Sequence, residues 1–163
     1  MDTYPERKRN RLKDYDYSSE GYYFITICTK DREAVLWERA PVGAAFGRLV
    51  LSEIGSIVDK EIHEIEGIYS NVMIDKYVVM PNHIHMIIIL KTKQEEGGRP
   101  KAAPTIPQIL NKFKGSISKQ IGRSTWQKSY YDHVIRDEAD YLAVWQYVDN
   151  NPAKWLDDEY YEK

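Results

Sequence analysis

Residues 77–90 of the chain read YVVMPNHIHMIIIL, two apolar runs separated by Pro81-Asn82. Proline ends a strand because it has no N–H group to donate to a neighbouring strand. Two apolar strands joined by so short a connection pair antiparallel. The segment therefore predicts a hairpin, formed by residues 72–80 and 83–90, at the centre of a sheet.

The flanking sequence predicts the rest of an α+β domain. Two further segments are rich in β-branched and aromatic residues, which favour strands: residues 22–29 and the second half of 126–136. Apolar residues three or four apart predict helices over 47–66, 107–121 and 137–150. The order strand, helix, strand, strand, helix, strand, helix predicts a ferredoxin-like antiparallel sheet with helices packed on it.

The composition is that of an ordinary globular domain. The chain has 163 residues, of which 42% are hydrophobic and 29% charged, with a net charge of −2. This length suits one hydrophobic core, and the balance of residue types excludes a disordered chain. We expect a single domain over residues 1–163, with a basic arm over 1–20 and an acidic tail over 157–163.

Several protein classes are excluded by simple counts. Cys28 is the only cysteine, so an internal disulfide scaffold is impossible. No apolar run approaches the roughly 20 residues that cross a bilayer. The first residues lack the apolar core of a secretory signal, so we expect a cytoplasmic protein.

The first candidates for a functional site are His83 and His85. Side chains alternate along a strand, so both rings point to one face, opposite to Ile84. Neutral imidazoles that share a face are good ligands for a divalent ion, and two of them leave positions open for water or substrate. The pattern alone also fits two rings that are exposed or bonded to backbone groups.

A second candidate pair is Tyr147 and Asn151. Residues four apart share one face of a helix, which here would carry a phenol and an amide oxygen. Tyrosine forms covalent intermediates when it is activated, and an amide oxygen is a ligand for hard metal ions. The alternative is a packing role for Tyr147, and the spacing does not distinguish it from Tyr141.

Basic and aromatic side chains offer contacts to a nucleic acid. Lysine and arginine bind phosphates, and aromatic rings stack on unpaired bases. The predicted contacts are Arg7, Arg9, Arg11, Lys112, Lys114, Lys119, Tyr130 and Tyr131. A solvated tail or helix face would have the same composition.

Three ordered motifs carry a family resemblance. They are residues 77–85 (YVVMPNHIH), 126–137 (WQKSYYDHVIRD) and 147–155 (YVDNNPAKW). Together they resemble the REP-associated tyrosine transposases, bacterial members of the His-hydrophobe-His (HUH) nuclease superfamily. The resemblance extends over residues 7–156.

The resemblance implies a transposase that cleaves and rejoins single-stranded DNA through a covalent 5′-phosphotyrosine. Tyr147 would be the nucleophile. His83, His85 and Asn151 would bind Mg²⁺ or Mn²⁺. The partner would be single-stranded DNA with a hairpin, recognised beside a short sequence, and the chain would act as a monomer or a homodimer. His133 lies in a family motif, and we favour a structural role for it.

Two other functions fit the same residues. One is a single-stranded nucleic-acid binding module without catalysis, and the other is a hydrolytic metal nuclease. The presence of all four implied site residues favours the transposase, because a binding module needs none of them.

Overall fold

The structure, a computed structural model, describes residues 11–38, 50–92 and 103–157. These residues form four strands: β1 (Gly21–Cys28), β2 (Val72–Val79), β3 (His83–Leu90) and β4 (Tyr131–Ile135). They also form three α-helices: α1 (Glu53–Ile68), α2 (Ile106–Ile121) and α3 (Glu138–Asn150). Short 3-10 helices cover Lys30–Arg32 and Pro152–Asp157.

The strands form one antiparallel sheet in the order β2-β3-β1-β4. The predicted hairpin is confirmed, because β2 pairs with β3 across Pro81-Asn82. With three helices packed on the sheet, the predicted α+β ferredoxin-like class is also confirmed.

Polar caps and one glycine set the helix ends. Ser52 accepts a hydrogen bond from the Gly55 N–H, so α1 begins at Glu53 and not at the predicted residue 47. Thr105 forms a capping box at the start of α2. Gly122 ends α2 with φ of 81°, a left-handed conformation that favours glycine.

The two faces of β3 pack against different helices. Alternate residues, Ile84, Met86, Ile88 and Leu90, join the main hydrophobic cluster with α1 and α2. The other face carries His83 and His85, followed by Ile87, which packs with Phe24, Ile135 and Val148 of α3. The histidine pair therefore lies on the α3 side of the sheet.

Residues 11–20 of the predicted basic arm contact the body of the domain. Tyr17 is buried in the main cluster, its hydroxyl accepts from the Leu12 N–H at 3.0 Å, and its carbonyl accepts from the Ile106 N–H at 3.1 Å. The Tyr23 hydroxyl donates to the Ser19 carbonyl at 2.6 Å. Packing of Tyr17 and the hydrogen bonds of Tyr17 and Tyr23 thus hold this segment against the domain, despite its basic residues. Residues 1–10, and 158–163 of the predicted acidic tail, lie outside the described residues.

Within the described ranges, no helix has the length and apolarity to cross a membrane.

Candidate active site

The two imidazoles of β3 are buried and face each other. His83 and His85 are 0% and 1% exposed, so the alternative of two exposed rings is wrong. Their Nε2 atoms lie 3.0 Å apart. His83 Nδ1 lies 2.8 Å from Asn82 Oδ1, and His85 Nδ1 lies 2.8 Å from Thr26 Oγ1.

These side-chain oxygens orient both rings. Asn82 Oδ1 can only accept, so His83 Nδ1–H donates to it and His83 Nε2 keeps its lone pair. The Thr26 hydroxyl can donate or accept, so either Nε2–H of His85 donates to His83 Nε2, or His85 Nδ1–H donates to Thr26 and both Nε2 lone pairs face the same space. The second arrangement leaves both Nε2 atoms able to bind a cation.

Burial also keeps both rings uncharged. Loss of hydration lowers the pKa of His85 well below its ordinary value. Burial is the main cause of the lowered pKa of His83 as well, and the nearby His85 and Arg32 lower it further. Neutral imidazole is the form that binds metal ions, so the pair is ready to bind one at neutral pH.

The spacing of the two nitrogens fits a shared divalent ion. Two ligands at right angles, each about 2.1 Å from an ion, lie about 3 Å apart. The observed separation of the two Nε2 atoms is 3.0 Å.

Helix α3 brings the Tyr147 ring to this pair. The ring centroid of Tyr147 lies 5.2 Å from that of His85 and 6.0 Å from that of Phe24. Tyr147 is 41% exposed, so the phenol is accessible from solvent. Tyr141 lies towards the other end of the sheet, where its ring contacts Tyr22 and its hydroxyl donates to Asp75. The structure thus distinguishes Tyr147, which lies beside the histidines, from Tyr141, which does not. Their spacing in the sequence could not make this distinction.

Asn151 follows the same helix and is 4% exposed. On the chain it lies between Tyr147 and Trp155, and the Trp155 ring is 5.9 Å from that of His83. The Oδ1 atom of Asn151 is buried and has no hydrogen-bond partner among the described residues. A buried oxygen without a partner costs free energy, which a bound cation would recover.

Acidic and thiol side chains do not complete the site in the described ranges. No cluster of three or more His, Cys, Asp or Glu side chains suitable for a metal ion occurs there.

Among the predicted nucleic-acid contacts that the structure describes, Tyr131 lies on the strand next to Thr26 and Phe24, which contact His85. It is 48% exposed, pairs with Thr26 across the strands, and its ring centroid lies 6.4 Å from that of Phe24. Its neighbour Tyr130 is only 5% exposed and packs in the main cluster. The prediction that Tyr130 stacks on a base is therefore corrected, because its ring is already covered.

The predicted basic residues occupy different places. Lys112 and Lys119 are exposed on α2, on the side of the sheet away from the histidines. Lys114 is half-buried, and its ammonium donates to the carbonyls of Gln127 and Lys128 at 2.6 and 3.2 Å. Burial lowers the pKa of Lys114, and Arg11 lowers it further. The structure therefore gives Lys114 a role in holding the chain that follows α2.

The remaining predicted residues are Arg11, Arg7 and Arg9. The guanidinium carbon of Arg11 lies 4.7 Å from the centroid of the Tyr130 ring, a cation–π distance. Arg7 and Arg9 lie outside the described residues.

His133, for which we favoured a structural role, connects β4 to α3. Its Nε2 atom lies 2.9 Å from each carboxylate oxygen of Asp140.

Three residues of the site were not singled out from the sequence: Thr26, Asn82 and Trp155. Thr26 could have been found from the register of β1 against β3, which pairs it with His85. The sequence predicts both strands but not that register.

Two proteins of Haemophilus influenzae are similar to this chain. An uncharacterised protein is 33% identical, over 95% of this chain and 93% of its own length. A putative REP-associated tyrosine transposase is 21% identical, over 85% of this chain and 74% of its own length. The chain is a homologue of the REP-associated tyrosine transposases. It belongs to the same family as the uncharacterised protein.

A solved structure of a REP-associated tyrosine transposase bound to a REP hairpin has the same fold. Its TM-score against this transposase homologue is 0.62 at 20% identity, covering 89% of this chain and 73% of that chain. No protein-family model matches the chain.

Proposed function

We propose that this transposase homologue is a metal-dependent enzyme that cleaves and rejoins single-stranded DNA through a covalent 5′-phosphotyrosine. The observation that supports this most is the closeness of an exposed phenol, Tyr147, to a buried neutral histidine pair. We also propose that the chain acts as one domain over residues 1–163.

Tyr147 is the proposed nucleophile. Its phenolic oxygen forms a bond to the scissile phosphorus, the bond from phosphorus to the 3′-oxygen breaks, and a 3′-hydroxyl is released. The phenolic proton passes to solvent, and the departing 3′-oxygen takes a proton from solvent, so the step balances. Attack by a 3′-hydroxyl on the phosphotyrosine reverses these bonds and rejoins the strand. No water is consumed, so the phosphodiester energy is kept for rejoining.

His83, His85 and Asn151 are the proposed ligands of Mg²⁺ or Mn²⁺. The residues fit, because two neutral nitrogens share one space and the amide oxygen lacks a hydrogen-bond partner in the described part of the chain. When bound, the ion would draw negative charge from the scissile phosphate. Asn82 and Thr26 hold the two rings in place.

The proposed partner is single-stranded DNA with a hairpin. Tyr131 offers an exposed ring beside Phe24, and an unpaired base next to the cleaved bond would stack there. We keep Arg7, Arg9 and Arg11 as proposed phosphate contacts. Lys112 and Lys119 face away from the histidines, so they would contact a more distant part of the hairpin.

The test is formation of a covalent complex. The protein is incubated with a 3′-labelled hairpin oligonucleotide and Mn²⁺ or Mg²⁺, then denatured, and labelled protein is measured. We expect an adduct with the wild type and with the control Tyr69→Phe, whose ring lies on the α1 side. We expect none with Tyr147→Phe, which removes only the attacking oxygen.

Other outcomes would reject the proposal. An adduct with Tyr147→Phe would exclude this nucleophile. Free fragments without an adduct in the wild type would identify a hydrolytic nuclease, and binding without cleavage would identify a binding module.

A further inference from the structure

The helix that carries Tyr147 has little apolar packing. Val148 is its one buried residue in the described structure, and Val144 and Trp145 are only partly covered. An open cleft of about 450 Å³, lined in part by Tyr22 and Tyr141, lies beside its first turns. Contacts other than core packing must therefore hold α3 in place.

Besides the contact of His133 with Asp140 near the start of the helix, a β-bulge in β2 supplies such contacts. Ile74 pairs with Ile88 and Lys76 pairs with Ile87, so Asp75 is an extra residue on the β2 side. Consecutive side chains of a regular strand point to opposite faces, and a bulge breaks this alternation. Here Asp75 and Lys76 both reach α3.

Together they contact three residues that are four apart along the helix. The Tyr141 hydroxyl donates to Asp75 at 2.6 Å. The Lys76 ammonium donates to Asp149 at 2.6 Å and lies 4.0 Å from the centroid of the Trp145 ring. These contacts form one stripe along α3, so they resist rotation of the helix about its axis.

Tyr147 lies on the other flank of the helix. It is two residues beyond Trp145, which corresponds to about 200° around the axis. Val144 and Val148 lie between the two flanks and face the sheet. A small rotation that lifts the stripe from β2 would therefore change the distance between Tyr147 and His85.

We propose that Asp75 and Lys76 are positioning residues, which fix the rotation of α3 and so hold the Tyr147 ring beside His85. This inference rests on the proposed function for the role of Tyr147 as nucleophile. The mechanical part, that the bulge holds the helix, stands independently of any reaction.

The experiment compares Lys76→Met with Lys76→Arg and with the control Lys60→Met on α1. Amide hydrogen exchange along α3 and the nuclear Overhauser contact between the rings of Tyr147 and Phe24 report the position of the helix. Single-turnover adduct formation at saturating hairpin DNA reports the chemistry, and the dissociation constant for that DNA reports binding.

In Lys76→Met we expect faster exchange across α3, loss of the contact between the two rings, and adduct formation slowed roughly 10- to 100-fold. DNA binding and the midpoint of global unfolding stay near wild type, since Lys76 lies on the edge strand β2 with its side chain 25% exposed. Lys76→Arg keeps the charge and the stacking on Trp145, and restores the rate. Lys60→Met changes none of these quantities.

Unchanged exchange and an unchanged ring contact in Lys76→Met would overturn the proposal, even if the rate fell. An equal loss in Lys60→Met would also overturn it. If the wild type forms no adduct, the proposed function fails, while the exchange and ring measurements still decide whether the bulge positions the helix.

Discussion

The two faces of the sheet differ in what they bury, although one strand supplies both. Towards α1 and α2, β3 presents Ile84, Met86 and Ile88 to an apolar cluster. Towards α3, the same strand presents His83 and His85. Buried polar groups cost free energy, so a fold can carry them only where other packing offsets that cost. The α1 and α2 face stabilises the sheet, and the α3 face carries the proposed site.

The sharpest test of this division is removal of one apolar side chain from the stabilising face. Ile88→Ala deletes buried methyl and methylene groups and should lower the free energy of unfolding by about 2–5 kcal/mol. Chemical denaturation measures this loss. Binding of Mn²⁺ to the folded protein should change less than about twofold, which calorimetry measures. An equal loss of ion affinity would contradict the division.

The converse change removes a proposed ion ligand from the other face. In the wild type, Mn²⁺ at 100 times its dissociation constant should raise the free energy of unfolding by about 2.7 kcal/mol. His83→Ala should abolish this gain, measured by thermal unfolding with and without the ion. His63→Ala, which removes an exposed histidine of α1, is the control and should keep it. A retained gain in His83→Ala would exclude the ligand assignment.

A smaller effect is expected where a neighbour only orients a ligand. Thr26→Val keeps the shape of the side chain and removes the hydroxyl that lies 2.8 Å from His85 Nδ1. Loss of such an orienting partner weakens metal affinity by about 10- to 100-fold. Thr125→Val removes another buried hydroxyl and serves as the control in the same Mn²⁺ titration. Equal Mn²⁺ affinities of the two variants would show that Thr26 does not orient a ligand.

The smallest effect concerns the contact that connects β4 to α3. The hydrogen bond from His133 lowers the pKa of the Asp140 carboxyl, so the folded state binds its proton less readily than the unfolded state. This stability is present above an unfolded pKa of about 3.9 and is lost as pH falls through the folded pKa. The pair is partly exposed, so its contribution is below about 1 kcal/mol.

Asp140→Asn should therefore lose less stability than the wild type between pH 6 and pH 3, measured as the denaturation midpoint at each pH. Glu64→Gln on α1 is the control for removal of one carboxylate. A pH dependence of Asp140→Asn that matches the wild type would show that this contact does not link folding to acid.

The sequence predicted the hairpin and the shared face of His83 and His85 because both follow from alternation along a strand, a local property. It did not predict the register that brings Thr26 to His85, since register depends on pairing between distant segments. The bulge at Asp75 was missed for the same reason.

The choice of Tyr147 over Tyr141 depended on the family resemblance, and contacts in three dimensions separate them. The basic pattern of α2 was also a poor guide to function. It gave no sign that the ammonium of Lys114 is bonded to backbone carbonyls. The positions of basic residues in a sequence do not show which of them are hydrogen-bonded within the folded chain.

The alternation of β3 makes the proposed site dependent on accurate strand pairing. A slip of one residue against β1 would turn both imidazoles into the hydrophobic core and present isoleucines to α3. Such a misfolded form would lose both the packing of its hydrophobic core and the proposed site. Burial of the aliphatic residues during folding therefore also selects the register that orients the two rings.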